Sequence, residues 1–113
     1  MKFLSTLVSI AALTSVVSAN TCNQIIANSG FISSYSILTD GTVPDIPGIC
    51  GGLWDNLKHF SDCIGVSAST CESYQADPGR LLWKFENGAN CNAGMVESAW
   101  WEATKNQWGS ITC

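Results

Sequence analysis

An α+β domain, with two helices packed on a small antiparallel sheet and three disulfides stapling it, is the fold class this sequence predicts. The expectation rests on two windows of helical periodicity, one window of clean strand alternation, and six cysteines in a chain of 113 residues. Met95 to Trp108 is the longest amphipathic window after the first twenty residues. Val96, Ala99, Trp100, Ala103 and Gln107 share one stripe there, and Ser98, Glu102 and Lys105 fall opposite. Asn92 is a suitable N-cap, as is Gly94 with Glu97 at its third position, and Gly109 is the expected stop.

The other elements follow in chain order. Thr21 to Leu38 reads as a strand or irregular extended start, since Phe31, Ser33, Tyr35 and Ile37 would share one strand face and the serines weaken a helix. Asp40-Gly41 is a turn signal, and the two prolines of Val43 to Gly48 point to a loop. A second helix is expected from Leu53 to Ile64, opened by Gly51-Gly52 and ended by Gly65, with Leu53, Leu57, Phe60 and Ile64 on its apolar face. Ser67 to Gly79 is polar and closes on the turn Asp77-Pro78-Gly79. From Arg80 to Glu86, Leu81, Trp83 and Phe85 alternate with Leu82, Lys84 and Glu86 as in a half-buried strand. Asn87-Gly88 suits a tight hairpin turn with a return strand through Cys91, and Ser110 to Cys113 suits a short closing strand. No internal repeat is visible, and no linker divides the chain.

At the N-terminus, Lys2 precedes an apolar run from Phe3 to Val17, and Val17-Ser18-Ala19 forms a small-residue cleavage signal. Residues 1–19 are therefore expected to be a signal peptide and residues 20–113 a single secreted domain. The run is shorter than the ~20 apolar residues a spanning helix needs, so membrane insertion is not expected. All six cysteines, Cys22, Cys50, Cys63, Cys71, Cys91 and Cys113, follow the cleavage point, as expected for three disulfides in an exported domain. Spacing alone leaves their pairing open. Zinc is disfavoured because there is one histidine and no C-x-x-C pair.

Loss of Lys2 with the leader leaves Lys58, Arg80, Lys84 and Lys105 against nine acidic residues, a formal charge of −5. Nucleic acid and anionic membranes attract clustered Lys and Arg, so neither is an expected partner. Catalytic material is thin. His59 is the only histidine, on a polar helix face with Asp55 and Asp62, and Glu97 and Glu102 do not face one another. No phosphate loop follows Gly51-Gly52. The reading is of a protein that is not an enzyme and uses no cofactor or metal.

Five tryptophans in so short a chain carry more information. Trp83 and Trp100 are assigned to the core, and Trp54 to a half-buried margin. Trp101 and Trp108, seven residues apart on one helix flank with Glu97 and Lys105 beside them, either cover the disulfides or the early loop, or form an exposed aromatic strip. Such a strip would anchor a protein partner or stack on sugar rings, so Trp101, Trp108, Glu97 and Lys105 are the candidate binding residues.

With its leader ending Val17-Ser18-Ala19, its even cysteine set reaching Cys113 and its lack of an enzyme motif, the chain resembles the small secreted cysteine-rich proteins of filamentous fungi, many of them candidate effectors. Its element order also resembles the two-helix, four-strand sandwich of KP6-type killer toxins and effectors. That resemblance implies an extracellular protein that binds a host protein, from a plant host in many such cases, and modulates immunity or infection without catalysis. The alternatives are an antagonistic toxin acting on competing microbes and a wall-glycan-binding module.

Overall fold

The computed structural model describes residues 20–113. The expected leader lies outside the described residues. The elements run β1 (Thr21–Ala27), β2 (Ile32–Leu38), α1 (Ile46–Leu57), β3 (Ser67–Ser73), β4 (Leu81–Gly88) and α2 (Ala93–Thr104), with short 3-10 turns at Asn28–Gly30 and Ser61–Cys63. The strands form one antiparallel sheet in the order β1-β2-β4-β3, and both helices pack on one of its faces, giving the α+β architecture expected. Each half is a hairpin followed by a twelve-residue helix. Moving β1 to the end of the chain would convert this order into the split-βαβ arrangement βαββαβ.

The core lies between the sheet and the helices. β4 presents Leu81, Trp83, Phe85 and Asn87 inward, and its neighbour β2 presents Ser33, Tyr35 and Ile37. Cys50, Leu53 and Leu57 of α1 and Val96, Ala99 and Trp100 of α2 close over them. Trp54 meets Trp83 edge-on, with ring centroids 5.6 Å apart, and Phe85 lies 4.9 Å from Trp83. The helices approach closely where Gly52 faces Ala103, since a Cβ on Gly52 would sit 3.5 Å from that of Ala103.

Three disulfides join Cys22 to Cys113, Cys50 to Cys71 and Cys63 to Cys91. The first ties the start of β1 to the last residue. The second fastens α1 to the edge strand β3, and the third, wholly buried, links the segment after α1 to the one before α2.

Several elements differ from expectation, each for a local reason. The extended start divides into two strands, because Asn28 and Ser29 take left-handed conformations ahead of Gly30 and reverse the chain. Phe31 stays exposed beyond the buried Ser33, Tyr35 and Ile37. Helix α1 begins seven residues before Leu53. Asp45 caps it by accepting from the Gly48 amide at 3.3 Å, and Pro47 falls in the first turn, where a missing N–H is harmless. It ends at Leu57, leaving Phe60 half-buried in the following turn and Ile64 exposed. β3 carries no apolar alternation, because it is an edge strand exposed throughout except at the half-buried Cys71.

Asn87 and Gly88 do not form the hairpin turn. They remain in β4, paired with Ser33 and Ile32, and the buried Asn87 amide donates to the Cys63 carbonyl at 2.9 Å. The return strand is accordingly absent. Helix α2 starts after Asn92, whose side chain accepts from the Met95 amide at 3.0 Å. It stops before Gly109, because Lys105 and Asn106 adopt φ values of 51° and 57°. The Thr104 hydroxyl stabilises that exit by donating to the Trp100 carbonyl and accepting from the Asn106 amide. Gln107 therefore leaves the inward stripe and is exposed. Ser110 to Cys113 is irregular rather than a strand. Asn20 holds this tail by donating to the Trp108, Gly109 and Ser110 carbonyls, and Ile111 is buried.

Tyr35 gives the core a pH dependence. Its hydroxyl donates to the Cys91 carbonyl at 2.9 Å and accepts from Gln24 at 3.0 Å. Burial pushes the phenol above its ordinary 10.0, with Glu97 acting in the same direction and hydrogen bonds to Ser33 and Gln24 opposing. The fold thus favours the protonated form, a contribution complete below the unfolded pKa and lost as pH rises from 10.0 through the higher folded value. Urea midpoints measured from neutral pH to about pH 11 should fall more steeply above pH 10 in the wild type than in Tyr35→Phe. Parallel curves would show that Tyr35 does not supply this dependence.

Candidate recognition surface

Of the four candidate binding residues, the fold leaves one large aromatic side chain on the surface. Trp101 is 47% exposed on the outer side of α2. Its backbone is fixed from behind by the buried Val96, Ala99, Trp100 and Thr104, and Asn92 caps the helix start. Lys105, one turn on, forms a surface ion pair with Glu102 at 3.1 Å, so the indole lies beside a charged, solvated rim. Glu97, one turn back, is half-buried, and its carboxylate accepts from the Cys113 amide at 2.8 Å. Trp108 has left the helix. It packs half-buried against the core in the turn leading to the tail.

The expected flank of two stacked tryptophans is therefore not formed. Early termination at Lys105 rotates Trp108 away from Trp101, and Glu97 serves the C-terminal segment. A rigid aromatic plate with a polar rim remains, an arrangement suited to a protein contact, where a central aromatic supplies most of the affinity.

Asp55, His59 and Asp62 do not converge on one helix face. Asp55 is on α1 and pairs with Lys58 at 3.7 Å, His59 lies just beyond the helix, and Asp62 is in the 3-10 turn, all three exposed. Among the described residues, no group of three or more His, Cys, Asp or Glu side chains comes together to hold a metal ion. No thiol is free there. No described helix is long and apolar enough to cross a membrane.

The uncovered face of the sheet carries a second surface that the sequence reading missed. Asn23, Ile25, Ser34, Ser36, Lys84 and Glu86 line a shallow concavity of about 380 Å³. They come from three strands, and only the register of β1 on β2 and β2 on β4 brings them together. The alternation of Lys84 and Glu86 opposite the buried Trp83 and Phe85 was the one available signal. At the hairpin end, Ile25, Ile26 and Phe31 are 64, 61 and 74% exposed.

Fold and surface together define a small three-disulfide α+β domain, consistent with a cysteine-rich, effector-like protein. No family model, curated protein or solved structure matches the chain.

Proposed function

We propose that this is a secreted fungal effector that binds a host protein, most simply a plant protein, and modulates immunity or infection without catalysis of its own. The observation that carries the reading is Trp101, a large aromatic held in water on a helix with no freedom to bury it. An indole so placed contributes affinity at little ordering cost, since the backbone beneath it is already rigid. The expected export signal and the three disulfides suit a protein that works outside the cell that makes it. Four strands under two helices also give the element count of the KP6-type sandwich.

The test is capture from plant-host extract by the secreted, oxidised protein, followed by titration of the purified captured protein. Trp101→Ala should weaken that interaction at least roughly tenfold, about 1.4 kcal/mol or more, while His59→Ala leaves it unchanged. Equal affinity for the wild type and Trp101→Ala would remove the helix from the reading.

Wall-glycan binding is a second reading, and the polar concavity on the open sheet face favours it. Binding to insoluble wall polysaccharide that survives Trp101→Ala and disappears in a Ser34→Ala, Lys84→Ala variant would establish it instead.

A further inference from the structure

Among the described residues, β1 is an outer strand of the sheet, paired on one side only. Thr39 donates to the Leu81 carbonyl and Ala89 to the Phe31 carbonyl, each at 3.0 Å, in continuation of the β2–β4 register. Odd-numbered residues of β2 therefore bond to β4, and the even-numbered ones, Ile32, Ser34, Ser36 and Leu38, bond to Ala27, Ile25, Asn23 and Thr21 of β1. The N–H and C=O groups of Cys22, Gln24 and Ile26 consequently point outward from the sheet.

Exposed edges are ordinarily blunted by charge, proline or a bulge. β3, the opposite edge, has such devices: its register slips between Ser67 and Thr70, Ala68 takes a φ of 48°, and Glu72 is exposed. β1 has none of them. Its seven residues pair in unbroken register, and the whole stretch from Asn20 to Thr39 contains no Asp, Glu, Lys, Arg or His. Every charged side chain of residues 20–113 lies at Asp40 or beyond. Residues 20–113 carry a net side-chain charge of −5, so two copies repel over most of their surfaces, and this strip without charged side chains is where they can meet without setting like-charged side chains against each other.

We infer that β1 pairs antiparallel with β1 of a second copy about a two-fold axis beside Ile25, joining two sheets into one. This register exchanges main-chain hydrogen bonds between Gln24 and Ile26 of the second copy, and the reverse. Ile25 then packs against Ile25 of the second copy on the open sheet face, covering two exposed side chains in a direct cross-strand pair. Cys22, near the disulfide-tied tail, stays outside the paired segment. The inference is independent of the host-protein reading.

The protein, secreted with its own leader and oxidised, should sediment as a monomer at about 1 µM and increasingly as a dimer towards about 300 µM, as expected of a small interface. Ile25→Lys, which sets two cations against each other at the axis, should abolish the dimer. Thr70→Lys on the β3 edge should leave it intact. Hydrogen exchange gives a residue-level readout: the Gln24 and Ile26 amides should slow at high concentration in the wild type and not in Ile25→Lys. Circular dichroism and intact-mass measurement would confirm that both variants fold with all disulfides formed. Monomer throughout the range, a dimer that survives Ile25→Lys, or concentration-independent exchange at Gln24 and Ile26 would overturn the inference.

Discussion

Replacing Cys22 and Cys113 together by alanine is expected to lower the free energy of unfolding by about 4.6 kcal/mol, from the loop-closure entropy of a cross-link between residues 91 apart. The bond closes nearly the whole described chain. Without it the C-terminal segment retains the Asn20 bonds, the Glu97 contact and the burial of Ile111. Removal of Cys50–Cys71, which spans 21 residues, should cost less, about 3 kcal/mol. Urea unfolding of the two double variants measures the difference. If the Cys50 and Cys71 variant were the less stable, fastening of α1 to the sheet would outweigh chain closure.

Trp83 and Trp100 should respond unequally to the same conservative change. Both are fully buried, and alanine at either site should cost about 3–5 kcal/mol through the cavity it leaves. Phenylalanine separates them. The Trp100 indole N–H donates to the Gly109 carbonyl at 2.8 Å and so anchors the tail, whereas that of Trp83 is buried with no partner among the described residues. Trp83→Phe loses ring volume but also removes an unsatisfied donor worth about 1–3 kcal/mol, so its net cost should be small. Trp100→Phe loses a real bond as well as volume and should cost about 2 kcal/mol or more. A reversed ranking in thermal or urea unfolding would mean that the Trp83 N–H has a partner in solution.

Legibility of the elements followed the strength of their local signals. Leu81, Trp83 and Phe85 alternate with more polar residues, and β4 was readable almost to its ends. Asn92 and the Val96, Ala99, Trp100 stripe located α2 in the same way. β3 was not readable, because Ser67 to Ser73 are exposed except at Cys71 and only pairing with β4 defines the strand. The start of α1 was masked by Pro47 and three glycines, whose low intrinsic propensity is overridden by the Asp45 cap and by packing of Cys50 and Leu53. For the candidate surface, helical spacing placed Trp101 and Lys105 on the outer side of α2. It could not foresee that a left-handed Lys105 would end the helix and carry Trp108 away.

The sequence by itself determined the α+β class, the inward faces of β4 and α2, the excess of acid and the six cysteines, because periodicity, charge and covalent chemistry are local properties. Tertiary structure alone decided which cysteines meet, which tryptophan stays in water, and how Asn23, Ser34 and Lys84 gather on one face. It also decided that β1 is left as an open edge. These depend on strand register and helix termination, which are set by contacts between residues far apart in the chain, where a shift of one residue turns every side chain to the other face.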